Sequence, residues 1–206
     1  MESVKSVHPY EKGCDAFLYL FQPCLLSLAL FVWAFGDRER DLSRRMILVS
    51  LLSLSLSEVE MEGTGLSVYP AGLVLLVPFL SDVHRRGSWP EVLIAAFFGG
   101  LLCWRVADAI PLQPGLLLLC AMLLSAPVCL ICRERAEAQL ALGLGSLFFE
   151  LFFCLREYML FSFCVIRLGS REGLSLASLS MLLFELCSQA YSLLFRRQRG
   201  AVFIEF

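Results

Sequence analysis

Asparagine is absent from these 206 residues, lysine and histidine each occur only twice, and charged side chains make up just 17%. Without asparagine there is no Asn-linked glycosylation acceptor. The two histidines, His8 and His84, fall in the N-terminal tail and in a basic loop. That removes most intramembrane hydrolase chemistries, which rely on a histidine base or a zinc-binding pair. No G-x-S-x-G, H-E-x-x-H or phosphate-cradling glycine loop occurs. The chain therefore reads as non-enzymatic, with no cofactor and no metal site. A basic surplus is also missing: the net charge is −2, and phosphate neutralisation needs a concentrated basic surface, so nucleic acid is not a partner. The scarcity of lysine beside arginine reads as coding bias and not as mechanism.

What is abundant is apolar surface, with 58% hydrophobic residues and a mean hydropathy of +0.74. A soluble domain carries about 45–50% apolar and about 25% charged residues. A soluble core needs one apolar face per helix, whereas a lipid-facing helix is apolar all round. The expected fold is an all-α polytopic transmembrane helix bundle, a single domain over 1–206, with the lipid bilayer as its first partner. Most of the nine cysteines (Cys24, Cys103, Cys120, Cys129, Cys154, Cys164 and Cys187 among them) sit in or beside apolar runs, where a thiol packs as a small hydrophobe. Cys129 and Cys132 form a C-x-x-C, but a zinc site needs four ligands and no second pair or histidine is near.

Seven apolar segments can be marked: Ala16 to Phe35, Met46 to Ser57, Leu66 to Leu80, Val92 to Trp104, Leu116 to Ile131, Ala138 to Leu155 and Leu174 to Phe195. The first and last meet the roughly 20 residues a transmembrane helix needs. The first has Glu11 and Asp15 ahead of it and no small-residue cleavage site, so it reads as a retained span and not a signal peptide. Met46 to Ser57 is the shortest. It reaches spanning length only by including Leu42 to Arg45 or the acidic stretch that follows, and if it is re-entrant six crossings remain. Its alternating Ser53, Ser55 and Ser57 look strand-like, but an isolated strand in lipid leaves backbone groups unpaired. Pro70 and Pro78 predict a kinked or broken third helix, and Gly99-Gly100 predicts a close helix contact. The apolar character of the sixth segment resumes after Arg156-Glu157 as far as Ile166.

Cytoplasmic loops carry excess arginine and lysine. Taking alternate loops as inside collects eleven basic residues there, against six on the other side. The predicted arrangement is a multi-pass protein of the cell (inner) membrane with its N-terminus outside and its C-terminus in the cytoplasm.

Charges within spans cost about 2.5–3.5 kcal/mol at the helix centre and are functional candidates by default. Glu150 lies about 18 Å along its helix from Ala138, and Glu185 about 16 Å from Arg196. Both distances run from the predicted cytoplasmic side, which predicts similar depth. Gly143, Ser146, Glu150, Cys154 and Glu157 form one small or polar stripe, and Ser178, Glu185, Ser188 and Ser192 form another, with Gln189 adjoining. Two readings follow. In the first, Glu150 and Glu185 are hydrogen-bonded carboxyls that hold helices together; in the second, Glu150, Glu185, Glu157 and Gln189 line a proton or cation path. Arg105 and Asp108, and Arg156 and Glu157, sit near the outer ends of their helices. They are candidates for an ion pair, although snorkelling explains each alone. Glu58, Glu60 and Glu62 make a short outer acidic patch, which lacks the ordered ligand set of a calcium loop.

The aromatic first span (Phe17-Leu18-Tyr19-Leu20-Phe21), the entry Ser67-Val68-Tyr69-Pro70 and the two glutamate-bearing C-terminal spans give the layout a resemblance to small multipass membrane proteins of spore-forming Firmicutes, of the YphA-like type. That resemblance implies a membrane bundle and assigns no functional residue. Three functions compete. A non-enzymatic scaffold or membrane-complex subunit, with other membrane proteins as partners, comes first. A small transporter, channel or substrate-binding subunit using the mid-membrane glutamates comes second. An enzyme acting on lipid comes last.

Overall fold

Several helix boundaries in this chain fall where proline, glycine or a capping carboxylate interrupts an apolar run. The computed structural model describes residues 21–36, 40–57, 59–63, 65–109, 114–162 and 165–202. Positions 16–20 of the first apolar run, Lys5, Lys12, Arg38, Glu58 and Cys164 lie outside the described residues, as do the side chains of Arg196, Arg197 and Arg199.

The fold is mostly helical. The helices are α1 (Phe21–Phe35), α2 (Arg40–Ser55), α3 (Pro70–Val74), α4 (Val77–Arg86), α5 (Trp89–Ala109), α6 (Pro114–Ile131), α7 (Arg135–Phe161) and α8 (Arg171–Val202). Three stretches, Trp89–Ala109, Arg135–Phe161 and Arg171–Ser192, are long and apolar enough to cross a membrane, and Phe21–Phe35 and Gly115–Ile131 are shorter apolar helices. The third apolar segment is broken as its prolines require. Pro70 opens α3 and Pro78 stands in the first turn of α4, with a turn at Leu75-Leu76 between them. A proline near a helix start loses only an N–H that has no partner there anyway.

The shortest apolar segment extends toward its N-terminus. The α2 helix starts at Arg40 and takes in Leu42 to Arg45, ending before the acidic stretch. Helical geometry also resolves its serines: Ser50 and Ser53 share the buried face, Ser57 is buried in the turn that follows the helix, and Ser55 is exposed and donates to the Leu51 carbonyl (3.1 Å).

Strictly all-α the fold is not. Strands β1 (Met61–Gly63), β2 (Leu66–Val68) and β3 (Ile166–Leu168) form a small sheet, with β1–β2 antiparallel and β2–β3 parallel. Gly65, at φ 79°, turns the hairpin. The apolar run expected to continue to Ile166 stops as a helix at Phe161, where Ser162 adopts φ 55°, and the chain doubles back as β3.

Successive passes run in opposite directions. Ser43 Oγ donates to the Gly36 carbonyl (2.8 Å) across the α1–α2 corner. Arg45 on α2 meets Asp82 on α4 (4.0 Å). Cys103 on α5 donates to the Cys120 carbonyl on α6 (2.9 Å). The α5 and α7 helices lie parallel along a ladder in which Phe97 meets Phe148 and Trp104 meets Phe152, with ring centroids 5.8 Å apart in each pair. One end of the bundle holds Arg40, Arg44, Arg45, Arg85, Arg86, Arg133 and Arg135, with Arg86 bonded to Glu134 (2.8 Å); we call it the basic end. The sheet closes the other. Between them large apolar side chains face outward, among them Leu30, Leu48, Phe98, Met122 and Leu155.

The paired glycines form a close seam, as the sequence predicts. A Cβ on Gly100 would lie 2.8 Å from the Gly145 carbonyl oxygen and 2.8 Å from Phe148 Cβ, and one on Gly99 would lie 2.8 Å from Leu124. Gly100→Val is therefore expected to force α5 and α7 apart and cost about 1–3 kcal/mol, read as a lower thermal midpoint in detergent. Gly115→Ala, where nothing lies within 4 Å, is the neutral comparison. Equal melting of the two variants would mean the seam is loose.

Candidate functional site

Charge is costly away from water, so each buried carboxylate must find donors. Glu150 and Glu185 are both buried, at 6% and 1% exposure. They find different donors at different ends of the molecule.

Glu185 belongs to the basic end. Its Oε1 accepts from Arg135 Nε (2.8 Å) and from Gln139 Nε2 (2.6 Å), two residues of the first turns of α7. That helix begins where it does because Glu134 and Glu137 form a reciprocal capping box; Glu137 Oε2 accepts the backbone N–H of Glu134 (3.3 Å). The cap fixes the first turn, so Arg135 and Gln139, four residues apart, share the face toward α8.

Glu150 belongs to the sheet end. Its Oε2 accepts the Gly169 N–H (2.7 Å), and its Oε1 accepts the Ser170 N–H (2.8 Å) and the Ser170 hydroxyl. Ser170 is the N-cap of α8, accepting the Gly173 N–H at its Oγ (3.2 Å). A carboxylate placed there meets unpaired amides and the positive end of the helix dipole. Two glycines make room. A side-chain carbon on Gly173 would overlap the Glu150 carboxyl. Gly169, at φ 73°, packs on Gly72 at the start of α3, where a Cβ on Gly72 would lie 2.6 Å from its Cα. The Glu150 carboxyl thus ties α7 to the corner where β3 becomes α8.

The two glutamates are not brought together. Arg135 contacts Glu185, and Glu150 lies fifteen residues further along α7, which is about 22 Å. Similar depth was expected from counting inward from Arg196. But α8 continues to Val202, and Leu186, Cys187 and Ser188 are already exposed. The basic end of the bundle therefore lies close to Glu185, and Arg196 is well past it.

The remaining candidates disperse. Gln189 donates to the Phe35 carbonyl (3.2 Å), joining α8 to the end of α1, and Glu157 is exposed. Arg156 Nε bonds Asp108 Oδ1 (2.8 Å), both part-exposed, so the ion pair among the outer charges links α7 to α5. Arg105 takes no part in it; its guanidinium lies 5.5 Å from the centroid of the Trp104 ring.

Glu60, just ahead of β1, and Glu62, within it, are both exposed. At the C-x-x-C, Cys129 is exposed, and the Cys132 thiol is pushed up to about 12, by burial first and then by Glu137. A thiol held protonated is a poor nucleophile and a poor metal ligand. Among the described residues no three His, Cys, Asp or Glu side chains gather in a metal-binding group.

Sequence reasoning passed over Arg135, Gln139 and Ser170 as partners. Two signals could have found two of them. Gln139 is polar at the edge of an apolar run, and Ser170 immediately precedes the last helix with an acidic first turn. Compared with protein families, curated proteins and solved structures, the chain matches none.

Proposed function

We propose that the chain is a seven-crossing protein of a bacterial inner membrane, with its N-terminus outside and its C-terminus in the cytoplasm. In this reading it serves as a non-enzymatic scaffold or subunit of a membrane complex. The observation that carries it is the engagement of both buried carboxylates in helix-joining bonds at opposite ends of the bundle. A shared ion or proton site would need them close together. The alternating passes, the outward apolar side chains and the basic end support the topology.

Two measurements test it. On a cysteine-free background in intact cells, Glu62→Cys should react with an impermeant maleimide and Asp41→Cys only after permeabilisation. Labelling of both from one side would make α2 re-entrant and reduce the crossings to six. Cross-linking in membranes followed by purification should recover a reproducible membrane-protein partner; a chain that always purifies alone counts against a scaffold.

One observation keeps a transport role as the second reading. Gln139 Oε1 and the hydroxyls of Ser50 and Ser53 are buried and find no partner among the described residues, and Arg135 also reaches Met46, one turn from Ser50 (3.9 Å to Sδ). Such a path would run through Glu185 alone. Proton or cation flux in proteoliposomes that Glu185→Gln abolishes would favour it over the scaffold.

A further inference from the structure

At the basic end, α1 and α2 splay around a cleft of about 230 Å³. Its floor is Gly36, held by the Ser43 hydroxyl on the Gly36 carbonyl. Arg40 and Arg44, one turn apart on α2, line one side, and Trp33 of α1, 76% exposed, lines the other. The neighbouring Arg45 is engaged by Ser81 and Asp82 on α4. No ion pair to Arg40 or Arg44 occurs among the described residues, and both are exposed. Below the cleft, the face that carries Trp33 continues as Leu30 and Leu26, and the face that carries Arg44 continues as Leu48 and Leu51, all exposed. Two cations one turn apart can share the oxygens of one phosphodiester. A tryptophan beside them marks the depth at which headgroups sit. The apolar faces beneath suit an acyl chain and give a free phosphate nothing.

We propose that this cleft binds an anionic phospholipid, with Arg40 and Arg44 holding its phosphodiester and the α1 and α2 faces below Trp33 receiving an acyl chain. The proposal rests on the membrane reading above, and the experiment separates the two.

The full chain carrying Trp89→Phe and Trp104→Phe, so that Trp33 is its one tryptophan, is reconstituted in vesicles of brominated phosphatidylglycerol or brominated phosphatidylcholine. Quenching of Trp33 is expected to show a lattice-site preference for phosphatidylglycerol of about thirtyfold, from two basic residues at an anionic surface. Arg40→Gln with Arg44→Gln should erase that preference. Arg45→Gln, whose arginine is already paired, should keep it. Equal quenching by both lipids overturns the site while leaving the membrane reading intact. Absence of quenching by either lipid overturns the membrane reading itself. Loss of preference in Arg45→Gln as large as in the double variant would mean a diffuse basic surface and no site. Relief of quenching by millimolar inorganic phosphate would assign the cleft to a soluble anion and overturn the lipid.

Discussion

Arg135→Ala is expected to destabilise the protein by about 3–5 kcal/mol, because it leaves Glu185 charged and buried without its cation. Glu185 is 2% exposed at its side chain and Arg135 15%, so water cannot replace the lost guanidinium without opening the α7–α8 seam. Among the described residues Gln139 remains as its partner, donating one hydrogen bond. The double variant Arg135→Met with Glu185→Met should recover most of the loss, since removing both charges removes the unpaired one. Thermal unfolding in detergent reads both outcomes. If the single variant melts with the native chain, water reaches Glu185 and the pair is an interfacial one. If the double variant is as weak as the single, the pair itself and not the orphaned charge carries the stability.

Glu150→Ala should cost about 2–4 kcal/mol, through two amides left without an acceptor. Its effect is also expected to be local. The Gly169 and Ser170 amides, and the β3 strand leading into them, should exchange hydrogen faster while the α5–α6 seam keeps its protection. Glu150→Gln should lie between the native chain and the alanine variant. Its amide oxygen can still accept one N–H, but its NH2 would face the other donor. Gly173→Ala should resemble Glu150→Ala, because the added methyl displaces the carboxyl. A protein whose exchange is unchanged in Glu150→Ala would show that the sheet corner is held by β2 and Gly72 without the carboxylate.

Much of the helical scaffold was legible because its causes are local. Pro70 and Pro78 break the third segment by removing N–H donors wherever they stand, and Gly99-Gly100 admits a neighbour whichever helix that is. The three-stranded sheet was less legible for two reasons. The alternation Val59-Glu60-Met61-Glu62 is a strand signal, but it reads equally as an acidic loop. The parallel partner of β2, Ile166–Leu168, is about a hundred residues away, a separation that no local pattern carries. The carboxylates show the same division. That Glu150 and Glu185 must have partners follows from the cost of burying charge. Who the partners are depends on the stagger of α8 against α7.

By itself, then, the sequence determined the apolar character of the chain, the approximate location of its helices, the direction of the basic bias and which charged residues lie within apolar runs. Each of these follows from side-chain chemistry and helical period within one segment. Tertiary structure alone decided that the two glutamates sit at opposite ends, that Arg135 and Ser170 are their partners, and that two distant loops close one end as a sheet. Those outcomes depend on register between helices, which is fixed by glycine contacts and ring packing summed across the whole bundle.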